Sequence, residues 1–323
     1  MKTISMLVCD NGLGHISRSI FIANYLAKKF NINFFSSPKK IKKFHLDKKI
    51  NIKNLAIGDP KNDKKNYFKL KKINFKKYDI NYSDNLIDKD IINENFLLYS
   101  NFFWHQILNL KSRKYQLIEN NLRKNNTPIF GNYIFQNIEC KLNCIKIGFL
   151  GKFEGKFKYN NNILISLGTA EIEKYKKKII IERIKNILRN PKLRQYNFYI
   201  DKHYIRYLDP REYNYKIFSY KPKMFKKISL AIVKPGFGIL NDLFKHGIPI
   251  VNINLRFNKE FTFNTKELKK KKLILFETNL KNFPSKLKSK ISKKKLFKIY
   301  KRYKSLKWNG EQEIFELLVK KFK

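Results

Sequence analysis

The stretch Cys9-Asp10-Asn11-Gly12-Leu13-Gly14-His15-Ile16-Ser17-Arg18 follows a short apolar run at residues 4–8. A helix-like pattern comes after it, with Ile16, Ile20, Ala27 and Phe30 on roughly one face. The glycines therefore sit where a buried strand turns into a helix. Such a turn places backbone N–H groups and the positive helix end near its apex. Two small residues let a ligand approach the backbone closely. His15 stands at the start of the helix, where an imidazole can take or give a proton near neutral pH. The dinucleotide fingerprint is absent, because Ser17 occupies the third glycine position. An ordinary tight turn with a capping histidine has the same letters.

The chain has 323 residues, enough for about two domains with proper cores. Apolar residues make up 43%, which argues against a disordered chain. Seventy-one Lys and Arg against 25 Asp and Glu give a formal charge of +46. That excess invites a nucleic-acid or anionic-membrane partner. Drift toward residues with AT-rich codons is the competing explanation, because the lysines run along the whole chain. Three sparse cysteines, Cys9, Cys140 and Cys144, read as reduced thiols in a cytosolic protein. No apolar run approaches the roughly 20 residues that span a bilayer, and Asp10 breaks the only run resembling a signal peptide. A soluble cytoplasmic protein is expected, with peripheral contact at the inner face of an anionic membrane.

Short strand-like runs alternate with longer helix-like ones. Strands are expected at 4–8, 32–35, 52–57, 78–82, 96–99 and 127–130, and helices at 17–30 and 105–124. Residues 60–77 are too lysine-rich to place. The alternation predicts a doubly wound, mainly parallel α/β sheet. Ligands bind such sheets outside the carboxyl ends of the strands. That rule gathers Gly12–His15, Ser83-Asp84 and Phe103-Trp104 onto one rim. Simpler roles compete: Asp84 as the cap of a following helix, Trp104 as a core aromatic, and His105 as a helix-surface residue.

The texture changes between Cys144 and Asn162, which sets the expected domains at 1–155 and 156–323. Further strands are expected at 163–167, 197–200, 216–219, 230–233, 250–253 and 273–276. The strand at 230–233 ends in Lys234-Pro235-Gly236-Phe237-Gly238, a second glycine-rich bend before a helix. A diphosphate fits such a bend, facing backbone N–H groups and the helix dipole. Lys234 can add a point charge, and Asp242 can accept a hydrogen bond from a ribose hydroxyl. A packing turn is the competing reading. Glu260 and Asn264, four residues apart, share a helix face. The lysine run over 285–304 reads as a solvated helical face over an apolar stripe, or as a surface for an anionic headgroup.

Two consecutive α/β domains with these turns resemble the GT-B glycosyltransferases. Asn11-Gly12-Leu13-Gly14-His15-Ile16-Ser17-Arg18 is similar to the family's N-terminal Gly-x-Gly-His-x-x-Arg segment. Ser83-Asp84-Asn85 and Asn101-Phe102-Phe103-Trp104 are similar to strand ends in bacterial members. Leu164-Ile165-Ser166-Leu167-Gly168-Thr169 resembles the start of the C-terminal domain. Lys234-Pro235-Gly236-Phe237-Gly238, with Asp242, Gly247 and Pro249, resembles the nucleotide-sugar signature. Ile239 stands where the family often has Thr, and Asp242 where it usually has Glu.

The resemblance implies two Rossmann-like doubly wound domains facing a cleft, and the motifs resemble those of the lipid-linked N-acetylglucosaminyltransferase group. It implies a nucleotide-sugar donor, UDP-linked, a glycan or lipid-linked acceptor, and no cofactor or metal. His15 and Asp84 become catalytic candidates. Gly168, Thr169, Lys234, Gly236, Phe237, Gly238, Asp242, Glu260 and Asn264 become donor-binding candidates. Gly12, Gly14, Arg18 and Trp104 fall to the acceptor or the loop. Sugar-nucleotide hydrolysis on the same fold, and a non-catalytic basic binding protein for nucleic acid or membrane, are the rival functions; nucleic acid is not the expected partner.

Overall fold

The computed structural model describes all residues except 11–12, 43, 56–68, 89–90, 111, 139–140, 168–173, 254–258 and 323. The chain divides into two compact units. The first comprises Met1–Gly151 with Lys307–Lys323, and the second Lys152–Leu306.

In the first unit the strands are β1 (Thr3–Val8), β2 (Asn31–Ser36), β3 (Asn51–Asn54), β4 (Ile80–Asp84), β5 (Phe96–Tyr99), β6 (Ile129–Asn132) and β7 (Cys144–Ile147). They form one sheet in the order β3-β2-β1-β4-β5-β6-β7, every pairing parallel. Central strands of such a sheet are covered on both faces, so they read as continuous apolar runs. Residues 4–8 of β1 are all buried, as are all of β4 and β5. The chain winds outward through β2 and β3, then crosses back over β1 to β4. This reversal makes β1 and β4 the topological switch point.

Helix α1 (Leu13–Leu26) connects β1 to β2 and starts four residues earlier than the sequence suggests. His15 is therefore inside its first turn. A short α2 (Pro38–Ile41) follows β2. The single helix expected at 105–124 is two: α3 (Trp104–Leu108) and α4 (Arg113–Lys124). Asn109 takes a left-handed φ of 54° and closes α3, while the Ser112 hydroxyl accepts the Tyr115 N–H and opens α4.

The second unit repeats the plan. Strands β8 (Asn162–Ser166), β9 (Asn197–Asp201), β10 (Lys216–Phe218), β11 (Leu230–Val233), β12 (Ile250–Ile253) and β13 (Glu277–Thr278) pair in the order β10-β9-β8-β11-β12-β13, all parallel. The switch point here lies between β8 and β11. The last strand falls at 277–278 instead of 273–276, where Asn252 and Ile253 supply its register. The helices are α5 (Lys174–Arg189), α6 (Pro222–Phe225), α7 (Phe237–Lys245), α8 (Lys259–Lys270), α9 (Phe283–Lys290) and α10 (Lys293–Lys304). The lysine run thus forms two helices. Leu287, Leu296, Ile299 and Tyr303 are buried beneath it, and Lys293, Lys294, Lys295, Lys298 and Lys301 lie exposed.

The terminal helix α11 (Gly310–Lys321) returns to the first unit, whereas the sequence placed it with the second domain. Its Phe315 ring meets Tyr25 of α1 edge-on, with centroids 5.4 Å apart. Glu311 accepts the Gly151 N–H at 2.8 Å, and Glu313 accepts the Gly148 N–H at 3.0 Å. Only a glycine fits at 310, because an added Cβ would lie 2.4 Å from the Gly148 carbonyl oxygen. No helix among the described residues is long and apolar enough to cross a membrane.

Candidate functional site

Strand register places Val8 of β1 beside Asp84 of β4, at the switch point of the first unit. Asp84 is fully buried. His15, Arg18 and Ser19 are spaced i, i+3 and i+4 on α1, so they share the face that looks onto it. Arg18 Nε donates to Asp84 Oδ2 at 2.9 Å, and Arg18 Nη2 donates to Oδ1. The Ser19 hydroxyl donates to Oδ2 at 2.7 Å. His15 Nδ1 lies 2.9 Å from Oδ1 and 2.7 Å from Arg18 Nη2. The His15 side chain is 23% exposed and that of Arg18 12%, so the imidazole is the more exposed of the two.

Burial alone would raise the Asp84 carboxyl. The charges of Arg18 and His15, with the hydrogen bonds they make, overturn that and hold it well below the usual carboxylate range. Burial would likewise lower the Arg18 guanidinium, but Asp84 beside it raises it above its ordinary value. The guanidinium also lies 4.8 Å from the Tyr99 ring centroid. Asp84 does not cap a helix, because residues 85–88 after it are not helical and Asn85 has a φ of 60°. Arg18, expected at the acceptor or the loop, hydrogen-bonds Asp84. Its spacing from His15 was visible in the sequence. Ser19 and Tyr99 were missed, although Ser19 sits one helical turn beyond His15.

His105 is not a helix-surface residue. It is buried, its Nε2 lies 2.6 Å from Glu119 Oε1, and it stacks on Tyr115 with centroids 4.5 Å apart. It braces α3 against α4. Gly14 lies in the first turn of α1. Asn11 and Gly12 fall outside the described residues, and so does the side chain of Trp104, whose backbone opens α3.

In the second unit β11 runs into Lys234-Pro235-Gly236, and Gly236 is the N-cap of α7 with no side-chain cap. The first amides of such a helix have no intrahelical acceptor. Gly236 has an ordinary φ of −76°. A Cβ added there would meet only Phe261 Cε1, at 3.9 Å. Neither backbone conformation nor packing within the protein calls for glycine at this position. Lys234 is 6% exposed and its ammonium lies 5.1 Å from the Phe261 ring centroid. Burial brings the ammonium down to about 8, against the opposing pull of Glu260 and Asp201. Asp242 is half-buried, and burial pushes its carboxyl up to about 7 while Lys245 pulls it down.

Other predicted residues take different places. Asn264 is buried and its amide donates to the Pro235 carbonyl at 2.7 Å, bracing the bend from α8. Phe237 is buried, and Gly238 follows it in the first turn of α7. Glu260 is half-buried in the first turn of α8. Gly168 and Thr169 fall outside the described residues.

Sequence reasoning also missed a polar cluster at the carboxyl ends of β8 and β9. Tyr220 OH donates to Asp201 Oδ2, and the Ser166 hydroxyl lies 2.7 Å from Tyr220 OH and 3.2 Å from the same carboxylate oxygen. Asp201 and Ser166 end strands that the sequence did delimit, so the strand-end rule could have marked them. Among the described residues no group of three or more His, Cys, Asp or Glu could hold a metal ion.

The whole chain is similar to solved GT-B glycosyltransferases. The kitacinnamycin glycotransferase superposes with a TM-score of 0.62 at 12% identity, over 99% of this chain and 98% of that one. Acinetobacter baumannii MurG gives 0.61 at 13% identity, over 99% and 100%. Arabidopsis thaliana UGT89C1 complexed with UDP gives 0.63 at 10% identity, over 99% of each chain. At such identities the likeness establishes the fold, a two-domain GT-B architecture. No protein-family model matches the chain, and no curated protein matches it in sequence.

Proposed function

We propose that this protein is a glycosyltransferase, moving a sugar from a nucleotide-sugar donor, UDP-linked, to a hydroxyl of a glycan or lipid-linked acceptor. The observation that carries this reading is the buried Asp84, at the switch point of a GT-B unit, holding a solvent-reaching His15. An imidazole that donates Nδ1–H to a carboxylate keeps its Nε2 lone pair for a substrate proton. His15 Nε2 then takes the acceptor's hydroxyl proton as that oxygen attacks the anomeric carbon. The bond from that carbon to the diphosphate breaks, and the electron pair leaves with the nucleotide.

The growing charge on the diphosphate is met by the Gly236 bend, the first amides of α7 and Lys234. This cradle does the work without a resident metal or other cofactor. Asp242 accepts a ribose hydroxyl. The formal charge of +46 and the exposed lysines of α10 support peripheral contact with an anionic membrane, at its inner, cytoplasmic face.

The test is nucleotide release from a panel of nucleotide sugars, with and without glycan and lipid-linked acceptors. Acceptor-dependent release is expected, and release that ignores acceptor would make the protein a hydrolase instead. His15→Ala should slow turnover by about 100- to 10,000-fold, the usual worth of general-base help. A loss below about tenfold would remove His15 from that role. Absence of any nucleotide-sugar effect, together with tight binding to DNA or anionic vesicles, would overturn the enzymatic reading.

A further inference from the structure

His15 Nδ1 faces an obligate acceptor and an obligate donor at once. Asp84 Oδ1 lies 2.9 Å away and Arg18 Nη2 2.7 Å away. An ionised carboxylate only accepts, and a guanidinium only donates. A proton on Nδ1 satisfies Asp84 and leaves the Nε2 lone pair to the substrate. A proton on Nε2 satisfies Arg18, because the Nδ1 lone pair then accepts the Nη2–H. In that second tautomer His15 cannot remove a proton from an acceptor through Nε2. One ring proton serves only one of the two neighbours.

Arg18 is not placed to stand aside. Its Nε and Nη2 both engage Asp84, its guanidinium lies against the Tyr99 ring, and its side chain is largely buried. Asp84 in turn already takes Ser19 as well as Arg18. The carboxylate is thus well supplied with donors without the imidazole, so its claim on the His15 proton is weakened by the same residue that competes for the nitrogen.

We infer that Arg18 is a positioning residue that sets the tautomer of His15, opposing the base-competent form that Asp84 favours. The inference rests on the reading of His15 as the base, but its test does not use activity. The full chain carries five histidines. Labelled with 15N-histidine, it gives two ring-nitrogen signals for each, and His15→Gln identifies the pair to follow. The wild-type ring should show a measurable Nε2–H population. Arg18→Met keeps the length of the side chain but removes the donor, and should shift the Nδ1–H to Nε2–H ratio about tenfold or more toward Nδ1–H, the least that losing one charge-assisted hydrogen bond implies. Asp84→Asn should move it the opposite way. If Arg18→Met does not fold, Arg18→Leu serves, and Asp84→Asn remains as the opposing arm. Ring signals that stay at the wild-type values in the arginine variants, or move toward Nε2–H, would overturn the inference. An inactive His15→Ala with these shifts present would leave both readings standing. Tautomer shifts together with a fully active His15→Ala would sink the base and keep the arginine's control.

Discussion

Replacing Asp84 with asparagine will destabilise the first unit by about 3–5 kcal/mol, the cost of leaving a buried cation without its partner. The magnitude follows from what Asp84 holds. Both its oxygens are engaged by Arg18, Oδ2 also takes Ser19, and the Arg18 side chain has only 12% exposure through which water could compensate. Asparagine keeps one acceptor oxygen and turns an N–H₂ group toward donors. Summing every lost hydrogen bond would overshoot, because a freed guanidinium reorients. At about 2–4 °C per kcal/mol for a domain of ordinary size, the melting temperature should fall by roughly 10 °C. Both tryptophans, Trp104 and Trp308, belong to the first unit, so their fluorescence in a urea or thermal titration reports on it.

Two controls sharpen that result. Arg18→Met in the Asp84→Asn background should recover part of the loss, since removing both partners costs less than removing one. The sign with pH is also set. A carboxyl held below its ordinary value stabilises in full above about pH 4 and loses that contribution as the pH falls through its own lower value. The gap between wild type and Asp84→Asn should therefore narrow below pH 4. A loss under about 1 kcal/mol at pH 7 would mean that Asp84 is not the buried counter-ion of Arg18.

Gly236→Ala should leave unfolding within about 0.5 kcal/mol of wild type, because the new Cβ meets only Phe261 at 3.9 Å. It should nonetheless weaken UDP binding by calorimetry, the methyl standing where a diphosphate approaches the backbone; unchanged affinity would take the bend out of the donor site. Asp242→Asn should gain stability relative to wild type as the pH rises. A carboxyl raised to about 7 costs the folded state increasingly between about pH 4 and its own value, above which the cost is constant. Unfolding curves at pH 5 and pH 8 should show the larger difference at pH 8, and equal differences would contradict the raised value.

Much of this fold was legible in the sequence because parallel central strands write themselves as local apolar runs. The strands at 96–99, 230–233 and 250–253 appear at the expected residues, each buried on both faces. The glycine-rich bend at 234–238 was legible for the same reason: a strand end, small residues and a helix start are adjacent in the chain. Its place at a switch point came from the strand order, which alternation does not give. The helix break at Asn109 was not legible, because an asparagine in a left-handed conformation looks like any other polar residue in a helical pattern.

What the tertiary structure decided was which distant groups share a charge. The residues 15, 18 and 19 announce a common helix face, but only β4 pairing beside β1 delivers the carboxylate of Asp84 to that face. The roles of Arg18, the raised Asp242 and the Asp201–Ser166–Tyr220 cluster depend on burial and on neighbours far along the chain. So does the return of α11 to the first unit, where Glu311 and Glu313 find amides about 160 residues away. Local pattern sets strands, bends and helix faces because those depend on near neighbours. Proton positions and domain membership depend on long-range contacts, which no periodicity in the chain encodes.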